Sequence, residues 1–160
     1  MLLGILSDTH DSVDRARAAV AYLADQGAEA LVHAGDIVAP FTARVLAEPG
    51  LPVFAVFGNN DGEVEGLRAV LPGIARHLET SWDGRTAAVV HDIGQLRPEA
   101  WERVDVVIHG HTHRAAVEEQ DGVLVVNPGE VCGWITGQST VALLDTKDLT
   151  AWIREVDAEP

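Results

Sequence analysis

The chain has 160 residues, 47% of them hydrophobic and 22% charged. That length and composition predict one globular domain spanning residues 1–160 and exclude a disordered protein. The net charge of −14, from 25 acidic and 11 basic residues, argues against generic nucleic-acid binding, which needs a basic surface. The single cysteine, Cys132, excludes an intrachain disulfide framework and a cysteine-rich zinc site.

The apolar segments are too short for a membrane helix, which needs roughly 18 apolar residues in a row. The opening apolar run, residues 2–6, leads directly into polar sequence and does not fit a signal peptide. We therefore expect a cytoplasmic protein with no membrane contact. Lys147 is the only lysine, which fits either a salt-rich cytoplasm or a GC-rich genome, and the sequence leaves both alternatives open.

The front half of the chain alternates between apolar strands and amphipathic helices. Strands are predicted at 2–6, 30–34 and 53–57. The intervening helices are predicted at 13–26 and 40–47, and another follows at 64–71. This β-α-β-α-β order favours a parallel sheet with right-handed crossovers.

The back half is mostly β-structure. Short strands are predicted at 75–78, 85–90, 104–109, 115–118, 123–126, 140–144 and 152–156. The dipeptides Asp83-Gly84 and Asp121-Gly122 are typical of hairpin turns. Together the two halves predict an α/β (mixed α+β) fold, in which two packed mixed β-sheets are flanked by helices as a four-layer αββα sandwich.

Polar residues of metal-ligating type follow the predicted strands. They are Asp8, His10, Asp36, Asn59, His91, His111 and His113. In α/β sheets, ligands bind where the loops at the carboxyl ends of the strands converge. Carboxylate, imidazole and amide oxygen form a mixed donor set that suits a divalent metal.

Each of these motifs alone has an ordinary structural explanation. Asp8-Thr9-His10 is compatible with a turn or a helix cap, and Gly35-Asp36 with a turn. The segment 58–61 (Gly-Asn-Asn-Asp) is rich in turn-forming residues, and His91 is compatible with a buried, hydrogen-bonded histidine. The order and placement of all the motifs together favour a metal site.

The same motifs in the same order resemble those of the calcineurin-like metallophosphoesterase superfamily. That family's pattern is D-x-H, G-D, G-N-H-D, a single H, and G-H-x-H. Here the matching segments are 8–10, 35–36, 58–61, 91 and 110–113. The short chain and the segment 127–134 (Asn-Pro-Gly-Glu-Val-Cys-Gly-Trp) resemble the compact prokaryotic phosphodiesterase branch, particularly its archaeal members.

The resemblance implies two divalent metal ions. It assigns Asp8, His10 and His113 to the first ion. It assigns Asn59, His91 and His111 to the second ion, with Asp36 bridging the two. The donor set suits Mn²⁺, Fe²⁺, Ni²⁺ or Zn²⁺, with Mn²⁺ favoured.

The expected reaction is the hydrolysis of a small phosphoester, most of all a phosphodiester, by a hydroxide that the two ions share. Asp36, His111 and Asn60 are the predicted catalytic residues. Two divalent ions outweigh the charges of Asp8 and Asp36, so the pocket would be locally positive inside an acidic protein.

Two positions depart from the family pattern. Asn60 stands where the family usually has the histidine of G-N-H-D, and an amide cannot transfer a proton near neutral pH. This predicts weak turnover or a preference for esters whose leaving groups need little protonation. Asp92 follows His91 where the family commonly has glycine.

Other polar residues near the motifs are expected to support the site. We expect His33 and His109 to be buried and hydrogen-bonded, with direct ligation as the alternative. We expect His77 to be structural. Asp11 and Asp61 are predicted to orient ligand histidines, and Cys132 and Trp134 to pack beneath the site.

Two other functions compete with the enzyme prediction. One is a non-catalytic protein-interaction scaffold, the role of the retromer subunit that has this fold. The other is a metallo-amidohydrolase, which is disfavoured because His111-Thr112-His113 lies late in the chain. A homodimer remains an open alternative.

Overall fold

Buried apolar strands form two five-stranded β-sheets in the computed structural model, which describes residues 1–157. The strands are β1 (Leu2–Leu6), β2 (Ala30–His33), β3 (Val53–Ala55), β4 (Leu78–Trp82), β5 (Arg85–Val89), β6 (Val106–Ile108), β7 (Ala116–Gln120), β8 (Val123–Asn127), β9 (Thr140–Asp145) and β10 (Thr150–Glu155). The helices are α1 (Val13–Asp25), α2 (Pro40–Ala47), α3 (Val64–Val70) and α4 (Pro98–Trp101), with a 3₁₀ turn at Ile93–Gln95.

The first sheet has the strand order β10-β9-β1-β2-β3. Strands β1, β2 and β3 are parallel, as the β-α-β-α-β pattern predicted. The C-terminal strands β9 and β10 extend this sheet in antiparallel pairs, β9 on β1 and β10 on β9.

The second sheet has the order β4-β5-β6-β8-β7. Its centre is parallel, with β6 between β5 and β8. The two predicted turns are confirmed, since Asp83-Gly84 joins β4 to β5 and Asp121-Gly122 joins β7 to β8, each as an antiparallel pair.

The alternation of side chains along the strands produces the layers. On β1, Leu3 and Ile5 pack between the sheets against side chains such as Val89 and Ile108, whereas Leu6 packs on the opposite face. That outer face is covered by helices, including the buried stripe of α1 at Ala16, Ala19, Val20 and Leu23. A smaller cluster under α4 covers the second sheet. These contacts confirm the predicted αββα sandwich.

The sequence-based elements were wrong in one strand and incomplete in the helices. The strand predicted at 75–78 is displaced to Leu78–Trp82, and Ala75 forms only an isolated bridge with Val56. The cause is that β4 is a half-exposed edge strand whose polar residues hide its pattern. Helix α4 and the 3₁₀ turn were missed because three or four residues show no helical period.

No helix in residues 1–157 is long and apolar enough to cross a membrane.

The polar loops lie together at the edge of the two sheets where β1, β2, β3, β5 and β6 end. Backbone hydrogen bonds join the loops there, from Asp8 N–H to the Gly35 carbonyl at 3.0 Å and from Gly110 N–H to the His91 carbonyl at 3.0 Å.

Candidate metal centre

The predicted ligands lie on five loops at this edge. Asp8 and His10 follow β1, Asp36 follows β2, Asn59 follows β3, His91 follows β5, and His111 and His113 follow β6. Five of these seven residues have left-handed backbone conformations. They are Asp8, His10, Asp36, His111 and His113. Such conformations cost about 1–3 kcal/mol each in non-glycine residues and cluster at functional sites.

A first group of donor atoms surrounds the buried carboxylate of Asp8. Its Oδ1 lies 3.3 Å from His113 Nε2 and 3.8 Å from His10 Nε2. Asp8 Oδ1 and His10 Nε2 are both buried without a hydrogen-bond partner. The neighbouring carboxylate of Asp8, and after it that of Asp36, raise the pKa of His10, although burial lowers it. These unpaired donor atoms therefore face one another across a space in which a cation could bind to all of them.

A second group surrounds the ring of His91. Its Nε2 lies 3.0 Å from Asn59 Oδ1 and 3.3 Å from His111 Nδ1. The other ring nitrogen, Nδ1, lies 2.8 Å from the Ala34 carbonyl oxygen. Because a carbonyl can only accept, Nδ1 carries a proton. Burial lowers the pKa of His91, but the hydrogen bond and charge of Asp36 at Nε2 outweigh it and raise the pKa. A metal ion at Nε2 would take the place of the proton shared with Asp36.

Asp36 lies between the two groups. Its Oδ2 is 3.3 Å from His10 Nε2 and 3.4 Å from His91 Nε2. Asn60 donates to the same carboxylate twice, from its backbone N–H to Oδ1 at 2.8 Å and from Nδ2 to Oδ2 at 2.7 Å. Burial alone would raise the pKa of Asp36, but the hydrogen bonds from His91 and Asn60 outweigh it and lower the pKa. Asp36 is therefore a permanent anion at the centre of the site.

The residues present fit a pair of divalent ions. Donor atoms about 2.0–2.2 Å from one ion lie about 3.0–3.5 Å from each other, which is close to the 3.0–3.8 Å between neighbouring donor atoms in the two groups. In residues 1–157, the ion pairs of Asp8 and Asp36 involve histidine rings and no lysine or arginine. Buried carboxylates without such partners need another source of positive charge.

Glu130 belongs to the site, although no motif in the sequence indicated a role for it. Its fully buried carboxylate accepts from His113 Nδ1 at 2.6 Å, which leaves His113 Nε2 to face Asp8. Burial would raise the pKa of Glu130, but hydrogen bonds from His113 and Thr136 lower it to about 2. A carboxylate that fixes the ring of a ligand histidine is a common arrangement at metal sites. The only sequence signal was its place in the segment 127–134.

The prediction that Cys132 and Trp134 pack beneath the site is right for Cys132 and wrong for Trp134. Cys132 is buried and donates its S–H to Glu130 at 3.2 Å. Its Sγ lies within 4.8 Å of ring nitrogens of His10 and His113, and burial raises the pKa of its thiol to about 12. Trp134 is 66% exposed and contacts the His10 ring at 5.0 Å between centroids.

The predicted supporting residues hold the loops rather than the ligand rings. His33 is buried and hydrogen-bonded as expected, with Thr9 Oγ1 at 3.2 Å and Gly35 N–H at 3.2 Å, and burial lowers its pKa to about 3. His109 is buried next to Asn127. The prediction for Asp61 and Asp11 was wrong. Both accept hydrogen bonds from backbone amides, Asp61 from those of residues 36, 38 and 58 and Asp11 from that of residue 39.

Comparison with known proteins identifies the family. A family model described as the calcineurin-like phosphoesterase superfamily domain matches residues 1–149. The chain therefore belongs to this superfamily of metal-dependent phosphoesterases, as the motifs indicated. It is 36% identical over 156 residues to the phosphodiesterase MJ0936 of Methanocaldococcus jannaschii, with 92% of this chain and 94% of that protein covered.

Another relative and two solved structures are also similar to this chain. The phosphodiesterase YfcE of Escherichia coli is 27% identical over 146 residues, with 82% of this chain and 79% of YfcE covered. The structure of an archaeal phosphodiesterase superposes with a TM-score of 0.85 at 33% identity, covering 98% of this chain and all of that one. Vps29 of Chaetomium thermophilum has the same fold, with a TM-score of 0.71 at 14% identity over 97% of this chain and 96% of Vps29.

Proposed function

We propose that this enzyme hydrolyses small phosphodiesters with two divalent metal ions bound at the candidate metal centre. Asp8, His10 and His113 would hold one ion. Asn59, His91 and His111 would hold the other, and Asp36 would contact both. The observation that carries the proposal is the position of Asp36 Oδ2, 3.3 Å from the ring nitrogen of one group and 3.4 Å from that of the other.

The ions would supply an activated water and positive charge for the phosphoryl oxygens. The protein holds the proposed ligands in fixed positions. Asp36 stays ionised and is held in place by Asn60. Glu130 and the Ala34 carbonyl fix the rings of His113 and His91, so each ring presents a lone pair without reorganisation. The mixed nitrogen and oxygen donors suit Mn²⁺, Fe²⁺, Ni²⁺ or Zn²⁺, and we favour Mn²⁺.

A small ester fits the charge of the molecule better than a long polyanion. The overall charge is −14, which repels nucleic acids at long range. Two ions at the carboxyl ends of the strands would make that pocket alone positive.

We also propose that residues 1–160 form one domain, because both sheets share the core that includes Ile5 and Val89.

The proposal can be tested by removing all metal from the protein and restoring Mn²⁺, Ni²⁺, Zn²⁺ or Mg²⁺ separately. The hydrolysis of a panel of phosphomonoesters and phosphodiesters is then measured with each metal. We expect diester hydrolysis only after a transition metal is restored, with two ions bound per chain. Asp36→Asn should lower kcat/KM by at least about 100-fold and reduce metal content, because it removes the shared charge.

Asp121→Asn is the matched control. It makes the same chemical change at an exposed hairpin turn, where asparagine also tolerates the left-handed conformation. The control should retain wild-type activity and metal content. No hydrolysis of any ester with any of the metals would overturn the proposed function, as would an Asp36→Asn variant with full metal content and activity.

The alternative of a non-catalytic scaffold has less support. The likeness to Vps29 concerns the fold. In this chain all seven predicted ligands converge, and their donor atoms face one another within 3.0–3.8 Å. A scaffold would show no metal-dependent turnover.

A further inference from the structure

Trp134 is a large aromatic side chain left exposed at the edge of the metal centre. It is 66% accessible, although a Trp ring usually buries much of its surface. One side of the ring lies against His10, with centroids 5.0 Å apart and planes tilted by 32°. His10 in turn stacks on His113 at 5.2 Å. The indole therefore extends a stack of two proposed metal ligands outward into solvent.

The segment that carries Trp134 is held firmly by the site itself. The buried carboxylate of Glu130 accepts from the backbone N–H groups of Trp134 at 3.0 Å and Ile135 at 2.9 Å, and from the Thr136 hydroxyl at 2.8 Å. The same carboxylate binds His113. Because one buried anion fixes both the ligand and the loop, the indole is held at a defined place beside the metal centre. These hydrogen bonds restrict the backbone at Trp134, so the exposed ring does not move freely as most exposed side chains do.

We propose that Trp134 determines substrate specificity by stacking on an aromatic ester group of the phosphodiester bound at the metal centre. The inference rests on the proposed function and adds a class of substrate to it, namely diesters that carry an aryl ring or a nucleobase. Stacking on an exposed indole requires no particular pattern of hydrogen bonds, so it selects aromatic over alkyl groups without selecting one aromatic compound.

The size of the apolar surface favours a small ligand over a protein partner. Only Phe41, Val117, Trp134 and Ile135 are exposed large hydrophobic residues in the described part of the chain. Of these, Trp134 contacts a proposed ligand. One or two side chains expose a few hundred Å² at most, whereas a stable protein interface buries more than about 1,000 Å². A single aromatic ring of the substrate matches the area that is available.

Calorimetric titration of metal-loaded protein with phenylphosphonate and with methylphosphonate tests the inference. The two probes share the phosphonate group that would bind the metals and differ in the aromatic ring. The wild type should bind phenylphosphonate more tightly. Trp134→Leu should raise the Kd of phenylphosphonate by roughly 5- to 100-fold, the range of single stacking contacts, and leave that of methylphosphonate within about twofold. Trp134→Phe should retain part of the preference.

Ile135→Ala is the matched control, because Ile135 is the neighbouring residue, is 68% exposed and is apolar without being aromatic. It should leave both dissociation constants unchanged. An unchanged phenyl preference in Trp134→Leu would overturn the inference, as would an equal loss in Ile135→Ala. Loss of metal from Trp134→Leu would also overturn it, because Trp134 would then serve to hold His10. The titration needs no turnover, so absent hydrolysis would overturn the proposed function separately.

Discussion

Asn60 occupies the position where the family pattern has histidine, and its contacts show what the asparagine does. Its backbone and side-chain amides both donate to Asp36, at 2.8 and 2.7 Å. They help to lower the pKa of that carboxyl. An amide holds an anion well, but it has no proton to give at neutral pH. Asn60 therefore suits the positioning of Asp36 but supplies no acid of its own.

Replacing Asn60 by histidine should change the dependence of the rate on the leaving group. General acid catalysis contributes typically about 10²–10⁴-fold where a proton donor operates. We expect Asn60→His to accelerate the hydrolysis of diesters with poor, alkyl leaving groups and to change little for activated aryl esters. The measurement is kcat/KM for a series of diesters plotted against leaving-group pKa, which should give a flatter slope in the variant.

Metal content and stability must be measured in the same variant, since the substitution also removes a hydrogen bond to Asp36. Equal slopes at equal metal content would show that residue 60 does not reach the leaving oxygen. A variant that loses metal would instead show that the contact with Asp36 is the main role of Asn60.

The site loops approach one another so closely that some positions admit only glycine. At Gly110, a Cβ atom would lie 1.9 Å from Ser7 Oγ and 2.7 Å from Asp8 Oδ2. Ser7 is fully buried and donates to Asp8, so it cannot move aside freely. At Gly58 the corresponding neighbour is Asp36 Oδ1, at 2.1 Å. Glycine at positions 58 and 110 therefore lets the loops of both sheets approach the carboxylates of Asp36 and Asp8 closely.

Gly110→Ala should accordingly damage the metal centre more than the fold. The added methyl group displaces Ser7 and Asp8, so we expect metal affinity to fall by at least about tenfold. The free energy of unfolding of the metal-free protein should fall by about 1–3 kcal/mol, as for other overpacked sites. Metal titration and urea denaturation measure the two effects.

Gly73→Ala is the control, because a Cβ atom at Gly73 would have no neighbour within 4 Å. It should behave as wild type in both measurements. Wild-type metal affinity in Gly110→Ala would contradict the close approach of these loops.

Most of the elements could be predicted because burial imposes a clear pattern on them. The three parallel strands of the first sheet are short apolar runs, and α1 shows its buried stripe at the helical period. Strand β4 was misplaced because three of its five residues, Glu79, Thr80 and Ser81, are polar and only Trp82 is buried. Helix α4 has four residues, too few for a period. The misplaced or missed elements are therefore a half-exposed strand at the edge of the second sheet and helices of three or four residues.

The proposed ligands could be picked out from the sequence, whereas the residues that support them could not, for a related reason. A proposed ligand such as His91 follows a strand within a short motif, so its place at the strand end can be inferred from local sequence. Glu130 meets His113 across 17 residues and two strands, and no local spacing records that contact. The exposure of Trp134 likewise depends on how the loop folds back over Glu130.

At the scale of the whole molecule, the site depends on how the two sheets pack together. Asp8 and Asp36 come from the first sheet, whereas His91 and His113 come from the second. The shared core of side chains such as Ile5 and Ile108 sets the distance between them. Metal binding should therefore depend on the packing of the two sheets, because neither sheet carries all the proposed ligands of either ion.

The acidic surface of the molecule also has a consequence for stability. In residues 1–157, five acidic side chains lie within ion-pair distance of a lysine, an arginine or the N-terminal amine. They are Asp14, Glu29, Glu48, Asp83 and Asp105. With 25 acids in the chain, most of the negative charge has no basic neighbour, so charges that are kept close together in the folded state repel one another.

Salt should therefore stabilise the metal-free protein by screening this repulsion. The Debye length falls from about 30 Å at 0.01 M to about 8 Å at 0.15 M, so most of the effect should come in that range. We expect the melting temperature of chelator-treated protein to rise by roughly 2–6 °C, which corresponds to about 1–2 kcal/mol in a domain of this size. Sodium, potassium and choline chloride should act equally at equal ionic strength, because screening depends on charge and not on the identity of the ion. A melting temperature that stays flat or falls with added salt would contradict the repulsion argument. A rise that continues steeply into molar salt would instead indicate a surface adapted to a salt-rich cytoplasm.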